Sequence, residues 1–375
     1  MRTVDAAGLG IGDDHPPRIM GVLNVSAESP YSPSVYDDPA EAAAYVEDEL
    51  LAEGADIIDI GLESANKKFD VLTADQELDR LDIALETIER VDGDAVFSIE
   101  TRYHEVADEA LAGGFDMVND ICGFADPEMP GVCEAHDAAV AKMASPPDLE
   151  RPGAVESVDD IYDALGLNGF TDKTIVDPAF GGWSEEKTLD DDRETFERLR
   201  EFRALGRPIL VSINRKNFLR DLAGRSTEEA LPVSLAATSL AVERGAHVIR
   251  THDVAETRDA AVIGDAFTRD RARTPTVEEL DVTSVREAER HLAQHDGRPD
   301  AAAGSVSRAF SVRGLSDADH EALAAAASAA GAVASGDEAV FLAGTVDDLE
   351  TVADAVDDGA GRLPEVAAAL RNALT

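Results

Sequence analysis

The chain has 375 residues, and its 77 acidic side chains outnumber its 33 basic ones, which gives a formal net charge of −44. This charge excludes nucleic acid as a partner, because phosphate backbones bind to a basic surface. No apolar run approaches the roughly 18 residues of a membrane-spanning helix, and no basic segment followed by an apolar one opens the sequence, so we expect neither a membrane span nor a signal peptide.

The acidic residues are distributed over nearly every predicted helix, and only six of the basic residues are lysines. Such a surface could bind a basic partner or a metal. It is also typical of a cytoplasmic protein in a high-salt cell, where molar salt shortens the Debye length to about 3 Å and screens the repulsion between carboxylates. The even distribution favours this halophilic interpretation.

Cys122 and Cys133 have no Cys-x-x-Cys spacing, which indicates free thiols in a reducing compartment.

Short apolar segments alternate with amphipathic ones from residue 18 onwards. Residues 1–17 are polar and end in two prolines, so we expect an N-terminal arm. The apolar segments predict eight strands, at 18–25, 55–61, 95–101, 116–120, 138–143, 173–178, 208–213 and 245–254. Helices are predicted between them, for example at 38–53, 190–205 and 228–244. Thr73 and Gln76 fit a capping box at the start of another helix.

Eight strands that alternate with helices over about 250 residues are the pattern of an α/β protein with a (β/α)8 TIM barrel, which we place at residues 18–274. An open doubly wound sheet is the structural alternative, but the sequence has no Gly-x-Gly-x-x-Gly motif to support it. Residues 278–375 contain no lysine and are dominated by Ala, Asp, Glu and Val. They predict a small acidic C-terminal α/β appendage of unknown role, with strands at 309–313 and 339–343 and helices at 317–330, 346–357 and 363–373.

Polar residues cluster at the carboxyl ends of the predicted strands, where barrel enzymes place their active sites. These residues are Asn24, Asp59, Glu63, Glu100, Asn119, Lys142, Asp177, Asn214, Lys216, Arg250 and His252. Any one of them could simply cap the next helix, so their convergence is the stronger indication. Arg250 and His252 lie two residues apart on one strand and therefore face the same side, which suits an anion such as a phosphate. The carboxylates and amides could bind the amino-pyrimidinone edge of a heterocycle.

Motifs at these strand ends resemble those of dihydropteroate synthases, which belong to the wider pterin-binding barrel family. They follow the family's order, at residues 20–26, 59–64, 98–101, 118–123, 177–178, 214–218 and 250–254. The resemblance implies a cytoplasmic transferase of folate biosynthesis. That enzyme condenses 6-hydroxymethyl-7,8-dihydropterin pyrophosphate with 4-aminobenzoate, with the help of Mg²⁺, to give 7,8-dihydropteroate and pyrophosphate. A homodimer is compatible with the resemblance.

Carried over position by position, the resemblance implies roles for seven residues. Glu100, Asn119, Asp177 and Lys216 would bind the pterin, Arg250 and His252 would bind the pyrophosphate, and Asn24 would bind the metal. Lys216, Arg250 and His252 would be the catalytic residues. Such an enzyme acts mainly by positioning its substrates and by stabilising the charges that develop on the methylene carbon and the leaving group.

The sequence also departs from the family pattern. Glu100 stands where the family usually has Asp, and the second polar loop lacks the Thr and Arg that hold phosphate. Lys67 and Lys68 lie one or two places beyond the missing arginine, so they either contact phosphate in its place or form a solvated pair. Two further hypotheses remain open. One is a pterin-dependent methyltransferase, which needs no anion-binding Arg250 and His252, and the other is a diverged pterin- or folate-binding protein.

Overall fold

The computed structural model describes residues 2–25, 34–63, 71–181, 184, 186–274 and 276–374. The chain divides into two compact units, residues 1–270 and 271–375. Within the described ranges, every helix is too short or too polar to cross a membrane. The first unit contains the predicted barrel strands, and the second contains the predicted appendage.

The first unit begins with two short antiparallel strands, β1 (Val4–Ala6) and β2 (Leu9–Ile11). Eight parallel strands follow, namely β3 (Arg18–Asn24), β4 (Ile57–Gly61), β5 (Val96–Thr101), β6 (Met117–Asp120), β7 (Ala139–Met143), β8 (Thr174–Asp177), β9 (Leu210–Val211) and β10 (Val248–Thr251). Their order in the sheet is β8-β7-β6-β5-β4-β3-β10-β9. A parallel bridge between Val176 of β8 and Ile209, which precedes β9, closes the sheet into a barrel. The predicted (β/α)8 TIM barrel is therefore confirmed.

Helices connect the strands on the outside of the barrel. They are α1 (Pro39–Tyr45), α2 (Ala74–Arg90), α3 (His104–Ala112), α4 (Met129–Ala135), α5 (Val158–Gly166), α6 (Leu189–Glu197), α7 (Asn217–Ala223), α8 (Leu231–Glu243) and α9 (Val254–Ala266). A π-helical segment, Val46–Leu51, continues α1, and a 3-10 helix, Leu199–Leu205, follows α6. The predicted capping box is present at α2, where the Thr73 hydroxyl accepts from the Gln76 backbone N–H and the Gln76 side chain accepts from that of Thr73.

Alternate residues of each barrel strand point inward. Towards the amino ends of the strands these residues are apolar and form one buried cluster, consisting of Met20, Ile57, Val96, Met117, Ala139, Ala141, Ile175, Leu210 and Val248. Val4, Ala6 and Ile11 of the β1–β2 hairpin belong to the same cluster. Residues 4–11, which lie in the predicted arm, thus close the amino-terminal end of the barrel. Polar chemistry is left to the carboxyl-terminal end, which we call the barrel mouth.

The second unit contains a three-stranded antiparallel sheet of β11 (Ser307–Arg313), β12 (Val333–Ser335) and β13 (Ala339–Thr345), in the order β11-β13-β12. Its helices are α10 (Val285–Gln294), α11 (Asp317–Ala330), α12 (Val346–Val356) and α13 (Leu363–Leu374). Leu323, Leu342 and Leu349 lie in its buried core. Two elements of this unit were not predicted. One is β12, which is only three residues long, and the other is α10, although Ser284 and Glu287 form a capping box at the start of α10.

Candidate active site

Arg250 on β10 is the centre of a buried polar cluster in the barrel mouth. Its Nε donates to Asp59 Oδ2 at 2.7 Å, and its terminal nitrogen donates to Glu100 Oε2 at 2.6 Å. Asp59 is fully buried and also accepts from Ser98 Oγ at 2.9 Å and from Asn119 Nδ2 at 3.1 Å. Hydrogen bonds between side chains therefore connect four strands at the depth where the apolar interior ends.

The charges in this cluster depend on one another. Burial lowers the pKa of Arg250, but the carboxylates of Glu100 and Asp59 raise it further, so the guanidinium stays charged. Burial likewise raises the pKa of Glu100, and Arg250 opposes that rise. Two carboxyl groups thus bind one cation.

Asp177 at the end of β8 and Lys216 after β9 form the other half of the mouth. Asp177 Oδ1 accepts from the Ala179 backbone N–H at 2.8 Å, and burial raises the pKa of this carboxyl to about 6. Burial lowers the pKa of Lys216 to about 8, although Asp177 opposes the change. At neutral pH, Asp177 is therefore mainly an acceptor and Lys216 mainly a donor.

His252 lies one residue beyond the end of β10, near Arg250. Burial lowers the pKa of its imidazole to about 4, and the neighbouring Arg250 contributes to this shift. His252 is consequently neutral at pH 7. It can offer a bound anion one N–H donor, whereas the positive charge comes from Arg250.

Asn214 and Arg215 lie next to the site and both bind the carboxylate of Asp253. Asn214 Nδ2 donates to Asp253 Oδ2 at 2.8 Å, and Arg215 binds the same carboxylate through two nitrogens at 2.9 and 2.8 Å. Arg215 also has a φ of 49°, a left-handed conformation that few side chains adopt without support. These contacts connect the ends of β9 and β10 and place Lys216, the next residue, at the mouth.

Lys142, which the sequence analysis counted among the mouth residues, faces the helix layer instead. Ala139 and Ala141 point inward on β7, so the side chain of Lys142 has the opposite direction. It is fully buried, donates to the backbone oxygens of Leu167 and Gly169, and lies 4.7 Å from the centre of the Phe124 ring. Lys142 therefore stabilises the packing of the segment after α5 and has no place in the site.

Asn24, the last residue of β3, and Glu63, on the loop after β4, lie at the edge of the mouth. Asn24 Nδ2 donates to Ser34 Oγ at 3.1 Å, and its Oδ1 lies 3.1 Å from the position that a Cβ atom on Gly61 would occupy. Glu63 binds the guanidinium of Arg102 and accepts from the Leu72 backbone N–H at 2.9 Å. Glu63 thus has a structural role. Lys67 and Lys68 lie outside the described residues, as does most of the first polar loop.

One group of three potential metal ligands occurs in the described part of the chain, namely His104, Glu105 and Asp126. Asp126 Oδ2 accepts from both the backbone N–H of His104 at 3.0 Å and its ring Nδ1 at 2.8 Å. These bonds hold the start of α3 and explain the cluster without an ion. A metal ion in the barrel mouth would need oxygen atoms of a bound substrate among its ligands.

Two features of the site were not predicted: Asp59 binds Arg250, and Ser98 and Asn119 hold Asp59 in place. A signal was available, because Asp59 lies two positions after the inward-facing Ile57. The partner of the carboxylate was not predictable from the same pattern, since Asp59 and Arg250 are 191 positions apart.

A family described as pterin binding enzyme matches residues 20–252, which is more than half of the chain. The polar cluster at the barrel mouth and nearly all of the eight parallel strands lie within this range. The chain therefore belongs to the pterin-binding enzyme family.

Proteins similar to this chain include dihydropteroate synthases. The synthase of Bacillus subtilis is 30% identical, over 66% of this chain and 88% of that protein. A probable bifunctional folylpolyglutamate synthase/dihydropteroate synthase of Halobacterium salinarum is 34% identical over 66% of this chain, but the match spans only 31% of that longer protein. The structure of a Coxiella burnetii dihydropteroate synthase with pteroic acid is similar, with 28% identity, a TM-score of 0.59, and coverage of 70% of this chain and 98% of that one.

Proposed function

We propose that the chain is a dihydropteroate synthase, which joins the methylene carbon of 6-hydroxymethyl-7,8-dihydropterin pyrophosphate to the amine of 4-aminobenzoate and releases pyrophosphate. The observation that carries the proposal is the arrangement of the mouth. Arg250 lies between two carboxylates, and the acceptor Asp177 and the donor Lys216 lie on the other side. The membership of the family and the similar synthases support the same assignment.

In this proposal, the pterin lies against Glu100, Asn119, Asp177 and Lys216. A carboxylate accepts hydrogen bonds from the ring N–H groups, and an ammonium donates to a carbonyl oxygen or ring nitrogen. Asp177 is suited to the first role because it is ionised near neutral pH. Lys216 is suited to the second. The ring is thereby fixed with its methylene carbon towards the arylamine, and this orientation supplies much of the rate.

The reaction breaks the bond between the methylene carbon and the pyrophosphate oxygen and forms a carbon–nitrogen bond. Arg250 binds the departing anion through its charge, and neutral His252 adds an N–H donor. To reach the anion, Arg250 must share its nitrogens with Glu100 or release that carboxylate. The arylamine loses a proton to solvent after the attack.

Mg²⁺ fits the oxygen atoms at the edge of the mouth, and we propose it as the cofactor. Asn24 Oδ1 and Glu100 Oε1 face the same glycine, at 3.1 and 3.7 Å from the position of a Cβ on Gly61. One carboxylate, one amide oxygen and the substrate's phosphate oxygens are the ligand types that this ion takes. When bound, Mg²⁺ would neutralise charge on the leaving pyrophosphate.

The test is an assay of the purified chain in molar KCl with the pterin pyrophosphate, Mg²⁺ and 4-aminobenzoate. We expect equimolar release of pyrophosphate and dihydropteroate, and loss of both when Mg²⁺ is chelated or when Arg250 is changed to Ala. Pterin binding without any pyrophosphate release would instead support the non-catalytic pterin-binding protein. Methyl transfer from a methylated folate would support the methyltransferase.

We also propose a homodimer that forms through α8 and α9. Four apolar side chains on these helices and just after them are exposed: Leu240 (47%), Val262 (56%), Ile263 (54%) and Phe267 (80%). Neighbouring exposed apolar residues of this size are typical of a protein interface. Sedimentation of wild type should give a dimer, and Ile263→Glu with Phe267→Glu should give a monomer. Leu167→Glu, which changes an exposed leucine elsewhere, should leave the dimer intact.

We further propose that the protein works in a reducing cytoplasm at high salt. It is supported by the two cysteines, which are free and buried, and by the acidic composition. Reaction of the unfolded chain with a thiol reagent should label both cysteines without prior reduction.

A further inference from the structure

Lys187 is a buried cation beside the candidate site, and the proposed chemistry leaves it without a role. Its side chain is 1% exposed, and the side chain of its partner Asp192 is 5% exposed. Lys187 Nζ lies 3.2 Å from Asp192 Oδ1 and donates to the backbone oxygen of Ala179 at 3.0 Å. Desolvation largely offsets the attraction within a buried ion pair, so stability alone does not explain its presence.

Lys187 holds the middle of the segment that follows β8. The oxygen of Ala179 binds Lys187, and the N–H of the same residue donates to Asp177 Oδ1 at 2.8 Å. Ala179 has a φ of 59°, in the left-handed region, where a side chain needs support from its surroundings. The contact with Lys187 supplies that support and keeps the Ala179 N–H directed at Asp177.

Asp192 holds the end of this segment. Its Oδ1 accepts from the backbone N–H of Gly181 at 3.2 Å. Gly181 has a φ of 111°, and a Cβ atom there would lie 2.9 Å from Lys216 Nζ. The backbone of Gly181 is thus the surface against which the Lys216 side chain lies, and a shift of that backbone would move the ammonium group.

We propose that Lys187 and Asp192 are positioning residues of the pterin site. The buried pair fixes the backbone of residues 177–181 and so orients the Asp177 carboxylate and the Lys216 ammonium together. The inference rests on the proposed function, because it assumes that these two groups contact a pterin. The charge of Lys187 acts on them as well, since it opposes the rise that burial causes in the pKa of Asp177.

The decisive variant is Lys187→Met with Asp192→Leu, measured by calorimetry with a pterin in molar KCl. An apolar pair of similar volume often replaces a buried ion pair without loss of stability, whereas it cannot bind Ala179 and Gly181. We expect an unchanged melting temperature and a pterin affinity roughly 10- to 100-fold weaker, because two buried groups would be misaligned with their hydrogen-bond partners on the ring. Lys173→Met is the matched control. This lysine lies at the other end of β8, pairs with Asp137 at 2.9 Å, and should not affect binding.

A double variant that folds and binds the pterin as tightly as wild type would overturn this inference but not the proposed function. A wild-type chain that binds no pterin would overturn the proposed function and, with it, the assumption on which the inference rests. If the double variant does not fold, Lys187→Gln removes the charge but retains a donor for Ala179. The loss of this cation should raise the pKa of Asp177. As the pH is lowered, the variant should therefore lose pterin binding at a higher pH than wild type does. An unshifted pH profile of pterin binding would contradict the inference.

Discussion

At the scale of single residues, Asp177 and Asn119 offer direct tests of the pterin site. Both side chains are buried at the mouth, with 5% and 4% exposure. We expect Asp177→Ala and Asn119→Ala each to weaken pterin binding by about 1–3 kcal/mol, the cost of leaving a buried polar group of the ring unpaired. Calorimetry measures this loss. Asp172→Ala is the control, because Asp172 lies before β8 at the opposite end of the barrel and its side chain is 93% exposed.

Glu77 on α2 provides a test of pH-dependent stability. Burial raises the pKa of this carboxyl from 4.5 to about 7, although the Thr101 hydroxyl donates to it at 2.5 Å. The folded state therefore holds the proton more tightly than the unfolded state, and the free energy of unfolding should fall as the pH rises from 4.5 to 7.

We expect Glu77→Gln to raise the free energy of unfolding by on the order of 2 kcal/mol at pH 8 and to leave it nearly unchanged at pH 4. Denaturant titration at the two pH values measures the difference. Glu86→Gln on the same helix is the control, because Glu86 is exposed and pairs only with Arg90 on the surface. Equal effects of Glu77→Gln and Glu86→Gln would show that the burial of Glu77 does not make the stability depend on pH.

The candidate residues show which part of a site can be predicted from a sequence. Strand periodicity correctly directs Asp177, Asn119 and Arg250 into the mouth, because a side chain's direction depends only on its position along its own strand. Periodicity should also have excluded Lys142, which was chosen for its place at a strand end alone. The protonation of His252 and Lys216 could not be predicted, since it depends on burial by distant parts of the chain.

At the scale of secondary-structure elements, the β1–β2 hairpin differs most from expectation. Ile11 is fully buried in the cluster at the amino-terminal end of the barrel. We expect Ile11→Ala to lower the free energy of unfolding by about 2–5 kcal/mol through the lost burial and the cavity left behind. Thr3→Ala, at an exposed position next to the hairpin, should have little effect in the same denaturant titration. If Ile11→Ala lowered the free energy of unfolding less than Thr3→Ala does, the hairpin would not close the barrel.

The eight barrel strands and most helices were predictable, because their signals are local. Apolar runs, capping residues and turn-forming loops lie within a few positions of the element that they define. The hairpin was not predicted, since its strands have only three residues each, which is too short for an alternation to be recognised. The division of the predicted helix 190–205 into α6 and a 3-10 helix was missed for a similar reason. No residue there marks a break in the apolar periodicity.

At the scale of the whole molecule, the charge of −44 predicts a strong dependence on salt. The Debye length grows from about 3 Å in molar salt to about 30 Å at ten millimolar, so repulsion between carboxylates is no longer screened. We expect the melting temperature to fall steadily as KCl is reduced over this range, and the barrel to lose its structure at the lowest concentrations. A melting temperature that stays constant between molar and millimolar KCl would contradict the halophilic interpretation.

The sequence by itself determined the barrel architecture and most of the polar residues that surround its mouth. Both depend on short-range patterns, namely the alternation within a strand and the order of motifs along the chain. Only the tertiary structure decided how those residues combine. Arg250 meets Asp59 and Glu100 across 191 and 150 positions, and Arg203 reaches Asp13 across 190. Folding of the first unit creates these pairs, because it brings distant segments of the chain together in a low-dielectric interior, where each buried charge must find a partner.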